Sequence, residues 1–255
     1  MRLHTPAAGL LAVAVLPLAL TACSSSTPRA AAPAPATTAA APATPAAAPS
    51  ATPSATPAAA DPNAGLLTGT QLKALLAPAA AAFAGGFAID AASTRDTGDT
   101  YQLPAVTDVP TPDCTRLGGT SWTEITGIAG VSFAENAYID KNDSAESAQE
   151  IDVYRDKTAQ TVVGALGKLS LACPGYTDPQ TNGKVTVAEK ALPAVGDEAY
   201  VITLTSPDWK GGTTLVAARV GTAVVTVLAS SGTDKGTATA TKLAGQLATG
   251  LKGKA

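Results

Sequence analysis

Between residues 24 and 60 almost every position is Ala, Pro, Thr or Ser, and Arg29 carries the only charge. Such a segment cannot bury enough apolar surface to offset the entropy of ordering it, and its prolines favour extended, polyproline-like backbone. At about 3.1 Å per residue it spans on the order of 100 Å when fully stretched, as a spacer would. Its Thr/Ser/Pro mixture also permits O-glycosylation, as in mucin-like stalks. Any core must therefore come from residues 63–255, enough for one domain of ordinary size.

A leader precedes the tract. Arg2 stands before an apolar run over residues 7–20, broken by Gly9 and Pro17, which ends in Leu20-Thr21-Ala22-Cys23. The run is shorter than the about 20 residues a spanning helix needs, and Ser24, Ser25 and Ser26 follow at once. It reads as a cleaved signal. Leu20-Thr21-Ala22-Cys23 resembles the lipobox of bacterial lipoproteins. That resemblance implies diacylation of the Cys23 thiol, cleavage before it, and anchorage to the cell membrane on its extracellular face. An ordinary secretory signal cut after Ala22 is the alternative.

The expected organisation is a lipoprotein signal peptide at 1–22, a lipidated Cys23 with a disordered stalk over 23–62, and a domain at 63–255. Loss of residues 1–22 leaves 16 basic against 20 acidic side chains, a formal −4, and removes the chain's one histidine, His4. Only 15% of residues are charged, and the mild net acidity excludes nucleic acid, which demands clustered Lys and Arg. The alanine-rich usage points to a GC-rich, actinobacterial genome.

Two cysteines remain, Cys114 and Cys173, and an exported domain oxidises its thiols, so they are expected to pair. Such a bridge stabilises a domain by about 4 kcal/mol on the chain-entropy estimate. Two free buried thiols are the rival reading; a redox pair is disfavoured because no Cys-x-x-Cys spacing occurs.

Thr68-Gly69-Thr70-Gln71 has the spacing of a capping box, with Leu72, Leu75 and Leu76 following at helical intervals until Pro78. Phe87-Ala88-Ile89 reads as a strand and residues 90–112 as a long surface loop. Alternation over residues 131–139 and 151–155 predicts an antiparallel hairpin. Asp156 is placed to cap a helix carrying Ala159, Val162, Val163, Leu166 and Leu169 on one stripe and delivering Cys173. Strands follow near residues 184–187, 199–205 and 214–228, the last split by a turn at Gly221. Thr233 or Asp234 caps a closing helix with Leu243, Leu247 and Leu251 on one face, and lysines in its last turn suit the helix dipole. The order predicts an α+β fold: an antiparallel sheet with helices packed on one face and one disulfide.

This arrangement resembles the extracellular sensor domain of mycobacterial serine/threonine kinases of the PknH type, which also occurs in stand-alone actinobacterial lipoproteins. The matching features are Leu66-Leu67 before a short helix, Cys114 in a loop, Trp122 at the start of a strand, and a hairpin ending in Ile151-Asp152-Val153-Tyr154. The amphipathic helix into Cys173, Arg219-Val220-Gly221 leading to Val224-Val225, and a closing helix complete it. The resemblance implies an antiparallel sheet, two long helices, a cleft and ligand sensing. The chain departs from the pattern in lacking the family's second disulfide, since residues 224–231 hold no cysteine. It also lacks every kinase motif, so signalling would need a partner.

Without a histidine after cleavage, Ser-His-Asp and Cys-His catalysis and His-containing zinc sites are excluded. Gly119-Thr120-Ser121-Trp122-Thr123 lacks the closing glycine of a nucleophile elbow. The acidic stretch Asp140-Lys141-Asn142-Asp143-Ser144, with Glu146 and Glu150, has Ala145 where an EF-hand needs glycine and Ile151 at its twelfth position. It reads as a solvated hairpin loop, and Asp90, Asp96 and Asp99 read as loop charges. No metal site, cofactor or catalytic residue is expected. Tyr138 and Tyr154 are expected to share a sheet face, beside a cleft or under a helix, and Trp209 in its turn is the best single contact residue. The hairpin, the helix after Asp156 and the closing helix are expected to frame a largely apolar concave site.

The leading functional expectation is a non-catalytic envelope lipoprotein whose domain binds a small molecule, an envelope lipid or glycan, or a protein partner. A structural or accessory envelope protein without a small ligand is the alternative, and a carboxylate-dependent hydrolase a third.

Overall fold

The computed structural model describes residues 60–78, 83, 86–140, 146–209, 211–230 and 234–255. All fall within the compact unit Pro57–Ala255. Cys23, the leader at 1–22, nearly all of the stalk at 23–62, and Thr233 lie outside the described residues. No helix among the described residues is long and apolar enough to cross a membrane.

Among the described residues, nine strands form one antiparallel sheet: β1 Phe87–Ile89, β2 Arg95–Asp96, β3 Ser132–Asp140, β4 Glu146–Val153, β5 Gly175–Thr177, β6 Lys184–Ala191, β7 Glu198–Thr205, β8 Gly212–Val220 and β9 Ala223–Ala229. Their order is β1-β3-β4-β9-β8-β7-β6-β5, with β2 also on β3. Strands β5 to β9 run as a meander whose last strand returns to pair with β4, Ile151 opposite Val225. The helices are α1 Gly69–Lys73, α2 Thr123–Thr126, α3 Thr158–Leu166, α4 Leu169–Ala172 and α5 Thr237–Leu251, with a 3-10 helix at Cys114–Gly118. The α+β class is as expected.

The arrangement of its layers is not. In β8, Val216, Ala218 and Val220 pack with Leu243, Leu247 and Leu251 of α5 and Leu72 of α1, whereas Leu215 and Ala217 pack with Val162, Val163 and Leu166 of α3. Neighbours in a strand point to opposite faces, so helices cover both faces and the expectation of a single covered face is corrected. Seven consecutive buried residues in β9, AVVTVLA, are the sequence correlate of two-sided burial. Each leucine of α5 contributes about 2 kcal/mol by leaving water. Ala240, Ala244 and Ala248, buried beside those leucines, keep that face of the helix small.

Local signals fared well at the helix ends. Thr68 accepts from the Gln71 amide and the Gln71 side chain reaches back to the Thr68 N–H, a complete capping box. The Asp234 carboxylate accepts from the Ala238 amide and from Gly236, which stands at the N-cap itself. Asp156, by contrast, sits at φ 50° and Lys157 is the N-cap of α3, without a side-chain bond. The helix after it also breaks at Gly167, where an added Cβ would lie 2.4 Å from the Tyr200 ring, and resumes as α4. Trp122 precedes α2 and not a strand, correcting that expectation. At the β8–β9 turn Gly221 has φ 56°, and a Cβ there would meet the Ala255 carbonyl at 2.4 Å, so glycine is required twice over.

Cys114 and Cys173 are bridged, with Cα atoms 5.6 Å apart. The bond ties the 3-10 helix to the end of α4 on the α3 side of the sheet.

Candidate functional site

Beneath the segment that the disulfide holds lies a group of polar side chains from β3, β4 and β9. Glu135 on β3 stands directly opposite Glu150 on β4, and Glu150 opposite Thr226 on β9. Asp152 follows two residues on, pointing to the same face. Glu150 is 2% exposed and Asp152 8%. Three anchors close the loop over them: the disulfide, the Trp122 indole donating to Thr226 Oγ1 at 2.7 Å, and Thr120. The Thr120 hydroxyl bonds to Glu150 Oε2 and lies 3.3 Å from Glu135 Oε1. Arg95 donates to Glu135 Oε2 at 2.7 Å with its guanidinium over the Phe133 ring.

Like charges directly opposite on a sheet repel, and burial adds to this. Loss of water is the main force pushing the Glu150 carboxyl up to about 7; the Thr120 bond and Arg95 oppose it and the Glu135 charge assists. Asp152 is held well above the ordinary carboxylate range, first by burial and then by Glu150 and Glu135. Its Oδ2 finds no hydrogen-bond partner among the described residues. The Thr120 hydroxyl has one proton to give. A protonated Glu150 donates to Thr120 Oγ1 and frees that proton for Glu135, so one hydroxyl satisfies both carboxyls only when Glu150 is neutral.

A carboxyl raised beside an arginine-paired neighbour has the ingredients of two-carboxylate hydrolysis, but that chemistry needs the scissile bond between the two groups. Here Thr120 fills the gap. The adjoining cavity, about 180 Å³, is walled by Thr120, Glu135, Asp90 and Glu146 and does not reach Glu150. No three His, Cys, Asp or Glu side chains among the described residues converge as a metal site would require.

A second cavity, about 430 Å³, shares Gly118, Glu146 and Leu228 with the first. It runs along the end of the sheet where β5 and β7 finish and β4 and β8 begin, with the 3-10 helix above. Trp209 and Tyr176 line it, and the Trp209 indole donates to Asp178 Oδ2 at 3.1 Å. Asp178 also accepts from the Gln180 amide and the Thr181 hydroxyl; these bonds, led by Gln180, hold its carboxyl below the ordinary value. A wider depression, about 720 Å³, runs over α3 and α4, lined by Gly164, Ala165, Gly167 and Ala172 with Gln160, Lys168, Glu198 and Tyr200 at its sides.

Trp209 is half-buried at a cavity wall. Tyr138 and Tyr154 do not share a face: Tyr138 packs in the core under α1 and α5, Tyr154 in the core under α3, and each is at least 98% buried. The Tyr138 hydroxyl donates to the Ala77 carbonyl at 2.8 Å, while its edge closes the smaller cavity. Tyr154 lines none of the cavities described. The closing helix α5 lies on the opposite face from α3, so the concave site expected between them and the hairpin does not form. Glu150 belongs to β4 and not to a solvated loop; Glu135, Asp152 and Thr120 were missed with it. The visible signal was Glu150-Ile151-Asp152-Val153-Tyr154, whose polar phase becomes an interior once a second helix layer covers it. Comparison of the chain with protein-family models, curated proteins and solved structures returns no match.

Proposed function

We propose that the chain is a cell-envelope lipoprotein, anchored on the extracellular face through acylated Cys23, whose α+β domain binds a ligand without transforming it. The observation that carries this reading is the 430 Å³ groove, which joins two aromatic rings to several polar side chains at one end of a rigid sheet. Its size lies within the about 300–1,000 Å³ usual for ligand sites, and the disulfide and the Trp209–Asp178 bond fix its walls beforehand. The resemblance to kinase sensor domains agrees with ligand recognition; any output then runs through a separate partner. The Thr120 hydroxyl between Glu150 and Glu135 counts against the other reading, a carboxylate-dependent hydrolase. It would be established by turnover of a glycan that Glu150→Gln abolishes.

The test is a thermal-stability screen of the full chain, made soluble by Cys23→Ala, against envelope lipids, glycans and peptides. Binding stabilises the folded state by ligand linkage. Stabilisation by one class, lost when the groove is altered, is the expected result. No stabilisation across all classes would hand the case to an accessory role.

A further inference from the structure

We infer that the groove beside Trp209 takes a carbohydrate, neutral or amine-bearing and not anionic. This rests on the ligand-binding reading and names the class of ligand. Sugars present flat C–H faces flanked by hydroxyls, and they need aromatic rings that are already oriented, with side-chain donors and acceptors at their edges. Trp209 meets the first need. Its indole N–H is tied to Asp178, and Asp178 is tied to the turn after β5 by Gln180 and Thr181, so the ring is set before a ligand arrives. Such amphipathic rings supply large contact area at small entropic cost. Tyr176, on the same wall, adds a second half-buried ring. The Tyr176 hydroxyl, the Gln180 side-chain carboxamide and the Glu146 carboxylate make no hydrogen bond within the described residues, and they remain to bind hydroxyls.

Charge narrows the class. Asp178 and Glu146 line this cavity, Asp90 and Glu135 line the neighbouring one, and among the described residues neither wall has a Lys or Arg. A uronic acid, phosphate or sulfate would enter against like charge with no cation among the described lining residues to receive it, whereas an ammonium would be drawn in. An acyl chain fits poorly, because Asp178, Gln180, Thr181 and Ser230 break up the apolar surface that a lipid tail needs. The shared walls at Gly118, Glu146 and Leu228 let an oligosaccharide continue from the larger cavity toward the smaller.

The chain has two tryptophans, and Trp122 is buried away from ligand, so a change in fluorescence on ligand contact reports Trp209. The Cys23→Ala chain is titrated with neutral gluco- and manno-oligosaccharides, glucosamine oligomers with free amines, and oligogalacturonides, following fluorescence and calorimetric heat. The expected result is binding of a neutral or amine-bearing oligomer with a fluorescence change that Trp209→Phe abolishes, and at least tenfold weaker binding in Trp209→Ala. Gln180→Ala, an exposed change that spares the core, should weaken binding severalfold, and Glu146→Gln should weaken only the amine-bearing oligomer. Oligogalacturonides should not bind. Glycan binding that is unchanged in folded Trp209→Ala and Gln180→Ala would overturn the site, and equal binding of oligogalacturonides would overturn the charge rule. If no glycan binds but a lipid or peptide stabilises the chain, the carbohydrate inference falls and the ligand-binding reading stands; if nothing binds, both fall.

Discussion

Glu150→Gln should make the domain more stable at pH 8 while leaving it almost unchanged near pH 4.5. Glu150 sits on β4 between Glu135 and Thr226 with almost no contact with water. Burial raises its carboxyl from 4.5 to about 7, with the Thr120 bond and Arg95 resisting. Because the folded-state value is raised, the fold prefers the neutral acid. The stability this gives is complete below about pH 4.5, is lost as pH rises through about 7, and falls no further once both states are ionised. The shift corresponds to about 3 kcal/mol over that window, as an order of magnitude. Glutamine keeps the bond to Thr120 and cannot ionise, so that loss should vanish. Asp152 is shifted in the same direction and leaves a residual slope. Asp90, Asp96, Asp113 and Asp178 are shifted downward, so the stability they contribute is lost only as pH falls below about 4, outside the window. Urea unfolding of both proteins at pH 5, 6, 7 and 8, disulfide intact, measures the difference. Parallel stability curves, with the same offset at every pH, would refute the argument.

On the proposed lipid anchorage, Cys23→Ala should move the protein from the membrane fraction to the medium, because acyl chains and not the domain would supply the attachment; fractionation and blotting decide it. Non-reducing mass spectrometry should recover a Cys114–Cys173 linked peptide, and reduction should cost the fold about 4 kcal/mol in urea unfolding. Leu247→Ala, in the core under α5, should destabilise by about 2–5 kcal/mol and leave ligand affinity intact, because the groove is on the other face of the sheet. Loss of binding in folded Leu247→Ala would mean the two layers are coupled.

Patterns with a short period were legible in the residues themselves. The capping box at Thr68, the leucine stripe of α5, the alternating hairpin β3–β4, the turn at Gly221 and the Cys114–Cys173 pair all depend on neighbours a few residues apart or on redox setting, and each is in place. What the alternation in β4 could not show was the second layer, which only the unbroken apolar run of β9 signalled. Alternation says that the two faces of β4 differ, but not whether the polar face meets water or another helix, and that choice put Glu150 and Asp152 inside. Tyr138 and Tyr154 separated for a related reason: Tyr138 pairs with Ser147, one pleat out of phase with Glu150, Asp152 and Tyr154, and register across a hairpin decides sides. The groove came latest of all, because Gly118, Glu146, Tyr176, Asp178 and Trp209 meet only once β9 has returned to β4 and brought the ends of β4, β5, β7, β8 and β9 together. Local chemistry chose the elements; long-range pairing and two-sided packing chose which of their side chains share a surface.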